Sequence, residues 1–154
     1  MAKTDSTLVT AGLLLGIGLG GFLDGIVFHQ MLQLHSMLSG VRPRRTLVDA
    51  DVHMFWDGMF HALTWMTTLA GVVQLWRAGR GATEGWSGRT LAGAMILGWG
   101  LFNLVEGLID HHLLGVHHVV ERLGLSVYDW SFLGIGGVAL AGVGWWLIAS
   151  AKDG

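Results

Sequence analysis

Cysteine is absent from the 154 residues. Its absence excludes disulfides, thiolate metal sites and cysteine nucleophiles. Charge is scarce: 13% of the residues are charged, against about 25% in a soluble domain. The net charge of −2 leaves no basic surface to recruit nucleic acid. Proline occurs once, at Pro43, inside a polar separator. The segment Met1 to Thr7 is short and polar, and no cleavable signal is expected ahead of the first apolar run.

Hydrophobic residues make up 52% of the chain, and glycine contributes 25 residues. The stretch Trp130 to Ala151 holds no charged residue. As a helix it rises roughly 33 Å, the apolar thickness of a bilayer. Four such runs stand out: about Leu8 to Leu38, Val52 to Trp76, Thr90 to His118 and Trp130 to Ala151. A soluble four-helix protein would keep a polar face on every helix. The expectation is therefore an all-α, integral membrane four-helix bundle, one transmembrane domain over residues 1–154. The lipid bilayer is its first partner.

Lys3, Arg77, Arg80, Arg89 and Lys152 fall on the side of the termini, and Arg42, Arg44, Arg45 and Arg122 on the other. That balance places the termini in the cytoplasm by a small margin. Gly12, Gly16 and Gly20 recur every four residues, and Gly93, Gly100 and Gly107 every seven. Small residues on one stripe let membrane helices approach closely.

Helix one carries Gly16, Gly18, Asp24, Gly25, Ile26, Val27, His29, Leu32 and His35. Helix three carries Gly98, Gly100, Glu106, Gly107, Leu108, Ile109, His111, Leu114 and His117 at one constant interval. The chain thus reads as a tandem duplicated helical hairpin, its halves related by a pseudo-twofold axis along the membrane normal. Helix two holds His53, Asp57 and His61, whereas helix four offers only Tyr128 and Asp129 at its start. The fourth helix reads as having lost its polar face.

All eight histidines fall in one half of the expected membrane, together with Asp24, Asp57, Glu106 and Asp110. Ionisable groups inside a bilayer cost several kcal/mol each and almost always face the bundle interior. Counted along straight helices, Asp24 and His35 lie roughly 16 Å apart, too far to hold one ion. The layers that follow are Asp24, His61, Glu106 and Asp110 deep, His29, Asp57 and His111 in the middle, and His35, His53 and His117 outermost. Packed carboxylates need cations beside them. Imidazole with carboxylate suits iron, zinc or copper. The expected metal ligands are Asp24, His29, Asp57, His61, Glu106, Asp110 and His111, with His35, His53, His112, His117 and His118 as an outer shell.

The segments Gly21 to Gln30 and Glu106 to His112 resemble an uncharacterised family of small four-span bacterial membrane proteins. The resemblance runs from about Gly12 into the fourth helix. It implies the bacterial cytoplasmic (inner) membrane and carries no established activity. Some members are encoded near cytochrome oxidase assembly factors, which implies copper or haem handling and respiratory-chain assembly partners. Ser36 departs from the pattern, standing where a second histidine after His35 is expected.

Three functions follow from these residues. The first is a membrane-embedded metal site of redox or hydrolytic use. The second is a copper or haem handling factor, since Met31, Met37, Met54 and Met59 share the histidine half and thioethers favour Cu(I). The third is a structural bundle whose buried polar network holds no metal. A proton path is disfavoured, because the half near the termini offers only Thr10, Thr67, Thr68 and Gln74.

Overall fold

A computed structural model describes residues 3–81 and 85–151, with side chains described from residue 6 onward. Lys152 and the Lys3 side chain, both counted toward orientation, lie outside the described residues. Helix α1 (Lys3–Asp24) continues as a π-helical segment, Gly25–Met31. Helix α2 spans Leu47–Gly81, and α3 (Gly88–Glu106) continues as a second π-helical segment, Gly107–Leu113. After a 3-10 turn (Glu121–Leu123), the fourth rod runs through α4 (Val127–Ser131), a third π-helical segment (Phe132–Ala139) and α5 (Leu140–Ser150). No strand occurs among the described residues.

Three rods are long and apolar enough to cross a membrane: Ser6–Met31, Gly88–Leu113 and Val127–Ser150. The remaining helix, α2, is the longest at 35 residues, about 52 Å of rise. Its start is fixed by a reciprocal cap. Asp49 Oδ2 accepts from Thr46 N at 2.9 Å, and Thr46 Oγ1 accepts from Asp49 N at 3.2 Å. Arg42 Nε adds an ion pair to Asp49 at 2.9 Å.

Helix α1 packs against both α2 and α3, and α3 packs in turn against the fourth rod. The glycine stripes make these contacts close. A Cβ at Gly12 would strike Leu91 and Ala94, one at Gly16 would overlap the Met95 carbonyl, and one at Gly20 would meet Trp99. Gly93 and Gly100 serve the other face of α3, against Leu147, Gly144 and Ala141. Packing at this distance is how small residues hold membrane helices together without a hydrophobic drive.

The first rod ends at Met31, short of the Leu38 suggested by its apolar run. Leu32 N donates to Val27 O at 2.8 Å and Leu34 N to Phe28 O at 2.9 Å, and Gln33 turns the chain at φ 50°. The third rod closes the same way. Leu114 N donates to Ile109 O at 2.8 Å, Val116 N to Asp110 O at 3.0 Å, and Gly115 turns at φ 57°. A left-handed residue other than glycine costs about 1–2 kcal/mol, which Gln33 bears and Gly115 does not. After these turns the two connections bind each other. Gly40 N donates to Val116 O at 2.8 Å and Glu121 N to Leu34 O at 3.1 Å.

Candidate metal centre

The turn at Gln33 overturns the depth count made on straight helices. His35 folds back beneath its own helix, and its Nε2 lies 4.0 Å from Asp24 Oδ2. His117 does the same after Gly115, with Nε2 3.4 Å from Glu106 Oε1. Histidines that a straight helix would carry outward thus return to the depth of the acids. The four rings of His29, His35, His111 and His117 form one buried cluster. Centroids are 4.5 Å apart for His29–His35, 4.9 Å for His111–His117 and 4.8 Å for the stacked pair His35–His117.

Hydrogen bonds set which nitrogen faces inward. His35 Nδ1 lies 3.0 Å from the Val119 carbonyl. A carbonyl only accepts, so Nδ1 carries the hydrogen and Nε2 keeps a lone pair. That lone pair is buried and finds no hydrogen-bond partner. Burial, with His117 beside it, holds the His35 imidazole down at about 4, so the ring is neutral at pH 7. Burial and the neighbouring His29 likewise lower His117. His29 Nδ1 donates to Asp57 Oδ1 at 3.1 Å, which turns its Nε2 toward Asp24 Oδ2, also 3.1 Å away. Despite that short distance, neither His29 Nε2 nor Asp24 Oδ2 makes a hydrogen bond. Nε2 of His111 and His117 and Oε2 of Glu106 are buried and unpartnered as well.

Electron pairs facing one another in a dry interior repel unless a cation lies between them. The donors gather into three overlapping triads: Asp24–His29–Glu106, His29–His35–His117 and Glu106–His111–His117. Within each triad, one ligand atom per residue lies within 4.8 Å of the others. These groups are able to hold a metal ion. Behind them sit two carboxylates: Asp57 orients the His29 imidazole, as supporting shells of metal sites do, and Asp129 approaches His111. Asp57 accepts from His29 Nδ1 and from Met37 N at 2.9 Å. Asp129 accepts from Val119 N at 3.0 Å and lies 3.4 Å from His111 Nδ1.

Of the residues named from sequence, the structure brings together Asp24, His29, Glu106 and His111, and adds His35 and His117 to them. Asp57 stands one step behind, on His29. His61 bonds back to the Asp57 carbonyl of its own helix at 2.7 Å, and Asp110 is half-buried; neither belongs to a triad. His53 is satisfied on both nitrogens, by Ser36 Oγ at 2.9 Å and Arg42 O at 2.7 Å, and pins the loop before α2. His112 bonds to Gly107 O at 2.6 Å and packs on Trp130. His118 lies 3.4 Å from Asp129. Asp129, named from sequence only as a polar residue at the start of helix four, is fully buried. Its signal was the capping box with Ser126, whose N and Oγ donate to Asp129 Oδ2 at 2.9 and 3.0 Å.

An all-helical membrane protein with a buried histidine–carboxylate cluster able to hold metal is the class defined by this fold and site. The chain belongs to the family described as predicted membrane protein (DUF2243), which matches residues 11–151. No curated protein and no solved structure matches it.

Proposed function

We propose that the chain is a four-span metal-binding protein of the bacterial inner membrane, built around a two-ion centre. Its ligands are Asp24, His29, His35, Glu106, His111 and His117. Asp57 and Asp129 orient His29 and His111 from behind. The observation that carries this reading is the unpartnered His35 Nε2, a lone pair fixed by Val119 and aimed among other lone pairs. No triad takes in all six donors, and His29, Glu106 and His117 each belong to two of them, so the triads link into one centre in which Glu106 is the shared carboxylate. Carboxylates and histidines projecting from several helices are the ligand set of di-metal bundles.

The alternatives fit less well. A metal-free polar network would pair its members; His29 does approach Asp24 at 3.1 Å and His117 approaches Glu106 at 3.4 Å, but the Nε2 atoms of His35 and His111 are left without a hydrogen-bond partner. A haem would have to part rings whose centroids are 4.5–4.9 Å apart. A Cu(I) carrier would use thioethers, but Met31, Met54 and Met59 are exposed on the outside of the rods, which leaves only the half-buried Met37, beside Asp57. An imidazole–carboxylate set suits iron, zinc or Cu(II) and serves redox or hydrolytic chemistry. Helix α2 supplies the fourth span, presenting Trp56, Trp65, Leu69, Val72 and Trp76 outward as lipid contacts. The matched turns, triads and supporting acids fit two halves related by a pseudo-twofold axis along the membrane normal.

Elemental analysis of the detergent-purified chain tests the proposal. Wild type is expected to carry two transition-metal ions per chain and His35→Ala fewer. A wild type that takes up no metal from iron, zinc, copper or manganese would overturn it.

A further inference from the structure

Beside the centre, between the connection that follows each π-helical segment, lies a cavity of about 590 Å³. That volume suits a small-molecule ligand. Gln33, His35, Ser39, Arg44, Glu121 and Arg122 contribute to its wall. The one carboxylate there is already engaged: Glu121 Oε2 accepts from Ser39 Oγ at 2.8 Å and from His118 N at 3.1 Å. The cations are engaged less. Arg122 has no ion pair or hydrogen bond among the described residues, and Arg44 reaches an acid only at 4.0 Å, on Asp57.

Gln33 adds a second, independent observation. It holds φ 50° where the equivalent turn of the third rod has Gly115 at φ 57°. Glycine would suit the turn better, so the side chain is kept against backbone preference. That side chain lines the cavity and makes no hydrogen bond. A strained residue with an unbonded amide, lining the same cavity as the unpaired Arg122 and an Arg44 held only at 4.0 Å by Asp57, is the make-up of an oxyanion site.

We propose that this cavity binds an oxyanion, a carboxylate or phosphate group, held by Arg44, Arg122 and the Gln33 amide against His35. The anion would be the ligand presented to the metal centre. That link rests on the metal reading; anion binding by the cavity does not. The oxyanion can belong to a free solute or to a lipid headgroup.

The test uses the full chain, metal-free and metal-loaded. One arm titrates detergent-solubilised protein with inorganic phosphate and with acetate by calorimetry. The other follows lipid retention by native mass spectrometry from nanodiscs of phosphatidylcholine with or without phosphatidylglycerol. Saturable binding of one anion per chain is expected, weakened at least tenfold in Arg122→Gln and in Gln33→Gly, with metal content unchanged. Binding in the first arm assigns a solute, and retention in the second assigns a headgroup. Gln33→Gly adopts the conformation already seen at Gly115, so its folding is not in question. Absence of binding in both arms overturns the proposal. So does a loss in Arg122→Gln that Gln33→Gly does not share, which would mark diffuse surface attraction. Normal anion binding by protein that never loads metal would support the cavity while ending its link to the centre.

Discussion

Replacing Glu106 by glutamine changes one oxygen of a buried side chain to an amide and keeps its volume. Glu106 is 4% exposed and belongs to both Asp24–His29–Glu106 and Glu106–His111–His117. On the two-ion reading, the substitution takes an anionic ligand from both triads that share Glu106. Substituting a residue that only orients a metal ligand typically weakens binding 10–100-fold. A shared direct ligand lies at or beyond the top of that range, and a hundredfold is about 2.8 kcal/mol. Glu106→Gln is therefore expected to fall from two ions per chain to one or none after dialysis at micromolar free metal. Asp57→Asn, which reaches the centre only through His29, is expected to weaken binding by the smaller factor. His61→Ala is expected to keep both ions, because His61 turns back onto its own helix. The assay is elemental analysis normalised to amino-acid content, with helicity measured alongside. Two ions retained in Glu106→Gln, or equal losses in Glu106→Gln and His61→Ala, would refute the assignment.

Further outcomes follow from the packing and the charges. Gly16→Ala drives a methyl into the Met95 backbone, and such overpacking costs about 1–3 kcal/mol; a lower denaturation midpoint in detergent checks it, and an unchanged midpoint contradicts the α1–α3 contact. Metal-free protein is expected to lose stability as pH falls from 6.5 toward about 4, because the His35 pKa lies below its unfolded value of 6.5. In that window the unfolded chain binds the extra proton, a penalty on the order of 3 kcal/mol, and His35→Gln should flatten the dependence. Asp49 acts in the same direction at lower pH: Arg42, then Thr46, hold its carboxyl down at about 2, so its contribution is present above pH 3.8 and lost as pH falls through 2. Asp49→Asn is accordingly expected to speed amide exchange over the first turn of α2 at neutral pH, with the metal centre untouched.

The long helices were legible from their apolar runs, and three of them are apolar enough over some twenty residues to cross a membrane. The acid–Gly motifs were legible because Asp24 and Glu106 recur with His29 and His111 at one interval. What could not be read was where the helices stop. A count of 1.5 Å per residue assumes an unbroken helix, but Gln33 and Gly115 end each rod in a left-handed turn. Nothing in glutamine announces such a turn, and Gly115 sits among many glycines. That single error of continuity sent His35 and His117 to an outer layer and left His61 and Asp110 beside the acids. The π-helical segments were equally silent, since no residue type specifies them; they mark a functional site only once seen. The place of Asp129 was overlooked for a different reason. Helix four looks purely apolar beyond its first turn, and the acid that approaches His111 is also the one that caps the helix.

An anomalous-scattering map from crystals of the metal-loaded chain tests the centre most directly. Two peaks are expected within the ring of His29, His35, His111 and His117, flanking Glu106 and each within bonding distance of an imidazole Nε2. Density confined to His53, His112 or His118, or no peak among the four rings at full metal loading, would contradict the account.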